Sequence, residues 1–406
     1  MRLLALLGLL LLASSGADAE PMHYRLAATV IPEPGMTAVD VTITLPSVAA
    51  GETSTFVLGR EFAIVHAESE HSAAPLVRQT NKPWSGLQEV SFTFLRAVEG
   101  PQVRLIYHGR PSPGGEPPIN QIAPQLVELS LDGMWLPILA SLDGRFTVDA
   151  ILSGLAPDAV VAAQGQVERR NGRVFVRREV PDLDFAFAAS RHFRVTESPA
   201  FTLYAADPGS AMARLYLDHG ARSRAWLSGW LGDIGQDRVA LAIISRPRTS
   251  GYARKQFIVT TDQGEAPNPA PRAKFIAHEL AHLWLSNANA TTTDRWLDES
   301  TAEYAGLRYV EDAFGKEERD RLLEPKRAEA AKAPPLLGGA PTGAGLYSKG
   351  PLLLFELETR IGREAMDRLI GEVARRRIGR TPDFLAALAR LTTPADAGWF
   401  EAKLRQ

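Results

Sequence analysis

The chain has 406 residues, with 45 lysines and arginines against 47 aspartates and glutamates, and no cysteine. That length calls for two domains or more, and a formal net charge of -2 gives no basic field to attract nucleic acid, so none is expected as a partner. Without cysteine there is no thiol nucleophile and no lipid-modified cysteine, and any zinc must be held by histidine and carboxylate.

The first residues read as an address. Met1-Arg2 gives a positive start, Leu3 to Ala13 an apolar run far too short to span a bilayer, and Ala17-Asp18-Ala19 a small-residue cleavage pattern. Cleavage after Ala19 is expected, leaving an exported protein, periplasmic or secreted, with no stable membrane anchor.

From Glu20 to about residue 205 the pattern is that of an N-terminal β domain. Val39, Val41, Ile43 and Leu45 alternate with polar or small residues, the period of a half-buried strand, and Ser91 to Leu95 and Val103 to Tyr107 look similar. Asn171-Gly172 between two strand-like runs is a strong signal for a type I′ hairpin turn. Many short strands with Gly and Pro punctuation imply an antiparallel sheet or sandwich. The character changes near Asp207-Pro208, read as the cap and first turn of a helix running to Leu231, which opens a second domain at 206–406. Val239 to Ile244 and Gln256 to Thr261 are apolar strands, the second expected to bind an extended peptide by edge pairing. The three prolines of Glu265 to Pro271 require a loop, helices dominate afterwards, and a Gly- and Pro-rich break interrupts them from Ala333 to Gly345. The expected class is α+β, with a β-sandwich domain followed by a mostly helical one.

The chemistry concentrates in His278-Glu279-Leu280-Ala281-His282, on a helix expected over Arg272 to Leu285. Histidines at i and i+4 lie one turn apart on the same face, so both rings reach one ion. Glu279 falls where it addresses the attacking water rather than the metal. Zinc needs a third protein ligand and an open position for catalysis, and Glu299, in the next expected helix starting at Trp296, is the candidate. Glu303, one turn further on, is placed to accept the other ring N–H of a ligand histidine. One Zn2+ per chain is expected. Against this stands the reading in which two histidines on a half-buried helix are ordinary satisfied groups.

These segments resemble the zinc aminopeptidases that include alanyl aminopeptidase and leukotriene-A4 hydrolase, gluzincins with a thermolysin-like catalytic domain. The matching residues are His278-Glu-Leu-Ala-His-Leu-Trp284, Trp296-Leu-Asp-Glu299 and Leu346-Tyr-Ser-Lys-Gly350, with Met134-Trp-Leu-Pro137 in a β half that resembles the family's saddle-shaped domain. The resemblance implies that Tyr347 hydrogen-bonds the oxyanion and that the partner is a peptide or protein substrate. The sequence also departs from the family. The G-x-M-E-N segment, whose Glu binds the substrate's amino terminus, is replaced by Ser250-Gly-Tyr-Ala-Arg-Lys-Gln256, with Arg254 or Lys255 where the acid is expected. A cation there repels an α-ammonium. The His282-to-Glu299 spacing is slightly shorter than usual, and the family's large helical C-terminal domain is not expected here, leaving a more open cleft. The expected function is therefore a zinc metallopeptidase, exo- or endo-acting. The alternatives are an aminopeptidase with a non-standard amine anchor, a hydrolase of non-peptide substrates, and a retired zinc fold acting as a binding module.

Overall fold

The computed structural model describes residues 20–79, 86–113, 118–142, 144–235, 238–246, 251–262, 264, 268–289, 292–339 and 342–406. The leader read at 1–19 lies outside the described residues, as do parts of the loops at 265–271 and 333–345.

Among the described residues the β half is built from three sheets. A seven-stranded sheet runs in the order Gln166–Arg170, Arg173–Asp182, Phe146–Ser153, Met22–Ile31, Met36–Thr44, Gln102–Gly109, Phe62–Glu68. Period-two patterning decides which face is inside: Met22, Tyr24, Leu26, Ala28 and Val30 are buried while the residues between them face outward. Beneath lie two four-stranded sheets, one around Thr53–Gly59 and Leu87–Thr93, the other around Leu126–Leu129 and Phe187–Ser190. One apolar core joins the three, with Trp135 packed edge-on against Phe187. Asn171 and Gly172 both take positive φ, 52° and 73°, as the expected hairpin turn requires. The sheet is not wholly antiparallel: Met22–Ile31 runs parallel to Phe146–Ser153, a pairing between strands far apart in sequence.

The division at 205/206 is cut across by a fourth sheet, ordered Arg194–Glu197, Phe201–Ala205, Val239–Ile244, Phe257–Thr261, Gly251–Arg254. Its first two strands precede residue 206 and the other three follow it. The expected edge strand also moves. Phe257–Thr261 is flanked on both sides, by Val239–Ile244 and Gly251–Arg254, and the open edge beside the helices belongs to Gly251–Arg254.

Helices then complete the molecule: α1 (Ala211–Leu231), α2 (Ala270–Ala281), α3 (Trp296–Phe314), α4 (Lys316–Ala330), α5 (Gly350–Ile361), α6 (Arg363–Arg375), α7 (Thr381–Leu391) and α8 (Pro394–Leu404). The cap of α1 is Ser210, whose hydroxyl accepts from the Ala213 amide, rather than Asp207. Pro271 sits in the first turn of α2, where its missing N–H leaves no bond unmade, so that helix starts before the expected Arg272. The helices pack on the fourth sheet in a second core that includes Ile276, Leu280, Trp296 and Tyr304. Among the described residues no helix is long and apolar enough to cross a membrane.

Candidate metal centre and active site

Helices α2 and α3 cross closely because Gly306 of α3 has no side chain: a Cβ there would stand 2.9 Å from the Lys274 carbonyl oxygen and 3.3 Å from the His278 Cβ. That approach brings the expected ligands together. The Nε2 atoms of His278 and His282 are 3.2 Å apart, with ring planes at 88°. Oε2 of Glu299 lies 3.8 Å from the first and 3.6 Å from the second. Four-coordinate zinc with bonds of about 2.0–2.1 Å spaces its ligand atoms by roughly 3.3 Å, so this triangle has nearly the right size. Two imidazole nitrogens facing one another this closely need a shared proton or cation, and two histidines plus one carboxylate is a common catalytic donor set for zinc. The residues fit the ion.

Glu279 also belongs to the cluster: its carboxylate and one nitrogen from each histidine lie within 4.8 Å of one another. Two acids therefore approach the histidines. Glu299 makes the tighter triangle with both nitrogens, which leaves Glu279 uncommitted. Burial pushes the Glu279 carboxyl up to about 7, with His278 opposing and Glu299 reinforcing the rise. Burial also tends to raise Glu299, but His282, His278 and Arg295 outweigh it and hold that carboxyl below its ordinary value.

Glu303 lies behind His278. Its Oε2 is 3.0 Å from His278 Nδ1, close but poorly aligned for a hydrogen bond, and its Oε1 is 2.6 Å from Lys274 Nζ and 2.8 Å from Lys326 Nζ. Burial would raise this carboxyl, yet Lys274, His278 and Lys326 together hold it well below the carboxylate range. Lys274 precedes His278 by one helical turn, a spacing visible in the sequence; Lys326 arrives from α4 with no local signal.

Tyr347 enters from a single π-turn, Gly345–Lys349, in which the Gly350 amide donates to the Gly345 carbonyl five residues back. Its ring centroid stands 6.0 Å from that of His278, and about a third of its surface is exposed. The turn is fastened to α3, where the Ser300 hydroxyl donates to the Leu346 carbonyl at 2.8 Å, and to α4, where Lys326 Nζ donates to the Tyr347 carbonyl at 2.7 Å. Asp298, quoted within the Trp296-to-Glu299 match but given no role there, accepts the amides of Asn287 and Ala288 at 2.9 and 3.0 Å and so ties the chain after α2 to the first turn of α3.

Arg254 does not stand free, as the sequence alone suggests. Its Nε is 2.6 Å from Asp184 and its Nη2 3.2 Å from Asp132. Lys255 is tied down through its backbone, its amide donating to Asp182 and its carbonyl accepting from Gln164.

No family model matches the chain. Solved structures do. The M1 zinc metallopeptidase from Deinococcus radiodurans is 20% identical at a TM-score of 0.72, over 95% of this chain and 94% of that one. A two-domain M1 zinc metallopeptidase bound to L-arginine matches at 0.73 with 20% identity, again over 95% and 94%. Leukotriene A4 hydrolase from Saccharomyces cerevisiae matches at 0.73 with 16% identity, over 94% of this chain and 66% of the hydrolase. With its sheet-built first half and helical second half, the chain carries the two-domain fold of the aminopeptidase-like M1 zinc metallopeptidases.

Proposed function

We propose that the chain is an exported zinc-dependent peptidase in which His278, His282 and Glu299 hold the metal, Glu279 is the general base and Tyr347 the oxyanion donor. The observation that carries this is the convergence of His278 Nε2, His282 Nε2 and Glu299 Oε2 into one triangle with an uncommitted, buried carboxylate beside it. The fold is that of peptidases, one of which was crystallised with a Tyr-Ser-Ala substrate.

Zinc held there supplies Lewis acidity, which polarises a carbonyl and acidifies water. Glu279 takes the proton of the attacking water on a carboxylate oxygen and passes it to the leaving amine. Its carboxylate, beside the triangle without belonging to it, is placed for both halves of that task. Tyr347 keeps its proton because burial and the neighbouring carboxylates push its phenol up. It is therefore a donor throughout, available to hydrogen-bond the developing oxyanion. The Glu303 carboxylate, 3.0 Å from Nδ1 of His278, favours the tautomer with its proton on Nδ1, which leaves Nε2 as the lone-pair donor. The leader read from the sequence is the basis for export.

The test is metal content and peptide cleavage on one purified sample of the mature chain, next to Glu279→Gln. One zinc per chain, cleavage by the parent and none by the variant bear the reading out. Absence of bound metal, or full activity in the variant, overturns it.

A further inference from the structure

Tyr347 has limited packing of its own to fix it, with about a third of its surface exposed on a turn of five residues. Its place is set through the backbone. On the α3 side the hold falls on Leu346, whose carbonyl accepts from Ser300. On the α4 side it falls on Tyr347 itself, whose carbonyl accepts from Lys326 Nζ at 2.7 Å. The donor that an α-helix would bring to this carbonyl is the amide four residues on, and that residue is Pro351, which has none. The Lys326 ammonium supplies one. The same ammonium stands 2.8 Å from Oε1 of Glu303, and the other oxygen of that carboxylate faces Nδ1 of His278. Among the described residues no other side chain bonds both Glu303 and the turn. Lys274, the second cation on Glu303, reaches it from α2. The Ser348 hydroxyl donates to Glu329 of α4 at 2.6 Å, and Lys349 Nζ to the Ala333 and Pro334 carbonyls at 3.2 Å, without reaching Glu303. The Lys326 side chain is 16% exposed, on a helix that otherwise buries Leu323 alone.

We propose that Lys326 is a positioning residue: by holding the Tyr347 carbonyl and the Glu303 carboxylate at once, its ammonium fixes where Tyr347 stands relative to the metal triangle. An ammonium carries three donors and no acceptor on a long stem, so one group can serve two oxygens on separate elements. The two ends of the bridge are not equally dependent on it. Glu303 keeps Lys274 when Lys326 is removed, and His278 and Glu303 sit on helices whose contact runs through Gly306. Tyr347 loses the one bond that reaches its own backbone from α4, and the Ser300 bond to its neighbour is left to hold it from α3. Loss of the bridge therefore releases the turn before it disturbs the ligands, and a reacting group misplaced by about 1 Å can cost on the order of 100-fold in rate. This inference rests on the peptidase reading for what Tyr347 does, but the placement itself is tested without substrate.

Amide hydrogen exchange of the full chain, followed on fragments spanning 345–350, reads the placement directly. Lys326→Met keeps the stem without the donors and is expected to speed exchange there by about tenfold or more, the effect of losing one hydrogen bond to a charged group. Lys274→Met, which takes a cation from Glu303 but leaves the bridge, is expected to leave the turn at the parent rate. In the zinc-loaded enzyme Lys326→Met is expected to lower kcat by roughly 10- to 100-fold, with KM within about threefold and zinc still bound. Lys326→Arg, which keeps the charge and the donors, is expected to recover part of both losses. If Lys326→Met does not fold, Lys326→Gln is compared with Lys326→Arg in its place. An unchanged exchange rate in the turn overturns the inference, as does a loss confined to KM. Equal loosening by Lys274→Met overturns it too, because the charge on Glu303 and not the bridge would then be what matters. A parent chain that cleaves no peptide, with a turn loosened by Lys326→Met and not by Lys274→Met, keeps the positioning role and removes the peptidase. A parent that cleaves, with neither exchange nor kcat altered in Lys326→Met, keeps the peptidase and removes the role.

Discussion

Nδ1 of His278 lies 3.0 Å from Oε2 of Glu303, and the other oxygen of that carboxylate is held by Lys274 and Lys326. The two ammonium groups keep Glu303 ionised despite its burial, so the acid can orient the ring and raise the basicity of Nε2. Glu303→Gln keeps the shape and one acceptor but not the charge. Zinc affinity, measured by competition with a chromogenic chelator, is expected to fall about 10-fold or more. An unchanged affinity would make Glu303 a packing residue.

Glu279 and Tyr347 separate by kinetics. Glu279→Gln is expected to lower kcat by roughly 100- to 10,000-fold, the usual contribution of a general base, with metal content unchanged. Tyr347→Phe removes one oxyanion donor and is expected to lower kcat on the order of 100-fold with little change in KM. A Tyr347→Phe effect confined to KM would assign the residue to substrate packing.

Much of this centre was legible in the sequence because its parts are local or nearly so. His278 and His282 share a helix face by spacing alone, and Glu299 and Glu303 repeat that spacing on the next helix. The hairpin at Asn171-Gly172 was legible for the same reason: a two-residue turn with positive φ at both positions has few sequence solutions. What escaped is long-range. Nothing near Lys326 announces that it reaches Glu303 from a separate helix, and nothing near Arg254 announces Asp132 and Asp184 from the other half of the chain. The parallel pairing of Met22–Ile31 with Phe146–Ser153 is set by how the sheet closes, and neither strand's own pattern encodes it. The edge position of Gly251–Arg254 follows likewise from strand order.

Stability of the metal-free protein should depend on pH in a definite direction. Burial lifts Asp298 to about 7 against the pull of two backbone amides, and lifts Glu279 to about 7 as well. In the unfolded chain both titrate near 4. Between these values the folded state binds more protons than the unfolded one, so stability is greatest at the acid side of the window and declines as pH rises through it. The decline from about pH 5 to pH 8 is expected to amount to a few kcal/mol, read from denaturant melts of chelator-treated protein. Asp298→Asn keeps an acceptor for the Asn287 and Ala288 amides while removing the titrating group, and is expected to flatten the slope; Glu279→Gln should flatten it further. A metal-free protein that gains stability over the same window contradicts the assignment.

Gly350 offers a way to disturb Tyr347 without altering any residue proposed to hold the metal or take part in the chemistry. It follows the π-turn directly, and a Cβ on it would fall 1.9 Å from the Ser300 Oγ and 2.5 Å from the Ser300 Cβ. Ser300 is the next residue after Glu299, and its hydroxyl holds the Leu346 carbonyl. A single methyl group at Gly350 must therefore push the turn away from α3, taking Tyr347 with it. Overpacking of this kind costs about 1–3 kcal/mol, so Gly350→Ala is expected to lower the melting temperature while the protein still folds. The position of Tyr347 should suffer more than the metal triangle, because His278, His282 and Glu299 lie on helices whose contact runs through Gly306 rather than Gly350. The expected signature is a drop in kcat approaching that of Tyr347→Phe, with zinc affinity kept to within about threefold, and no further loss when the two substitutions are combined, since residues that act as a unit are non-additive. Additive losses in the double variant would mean that the turn serves some part of the cleft other than Tyr347.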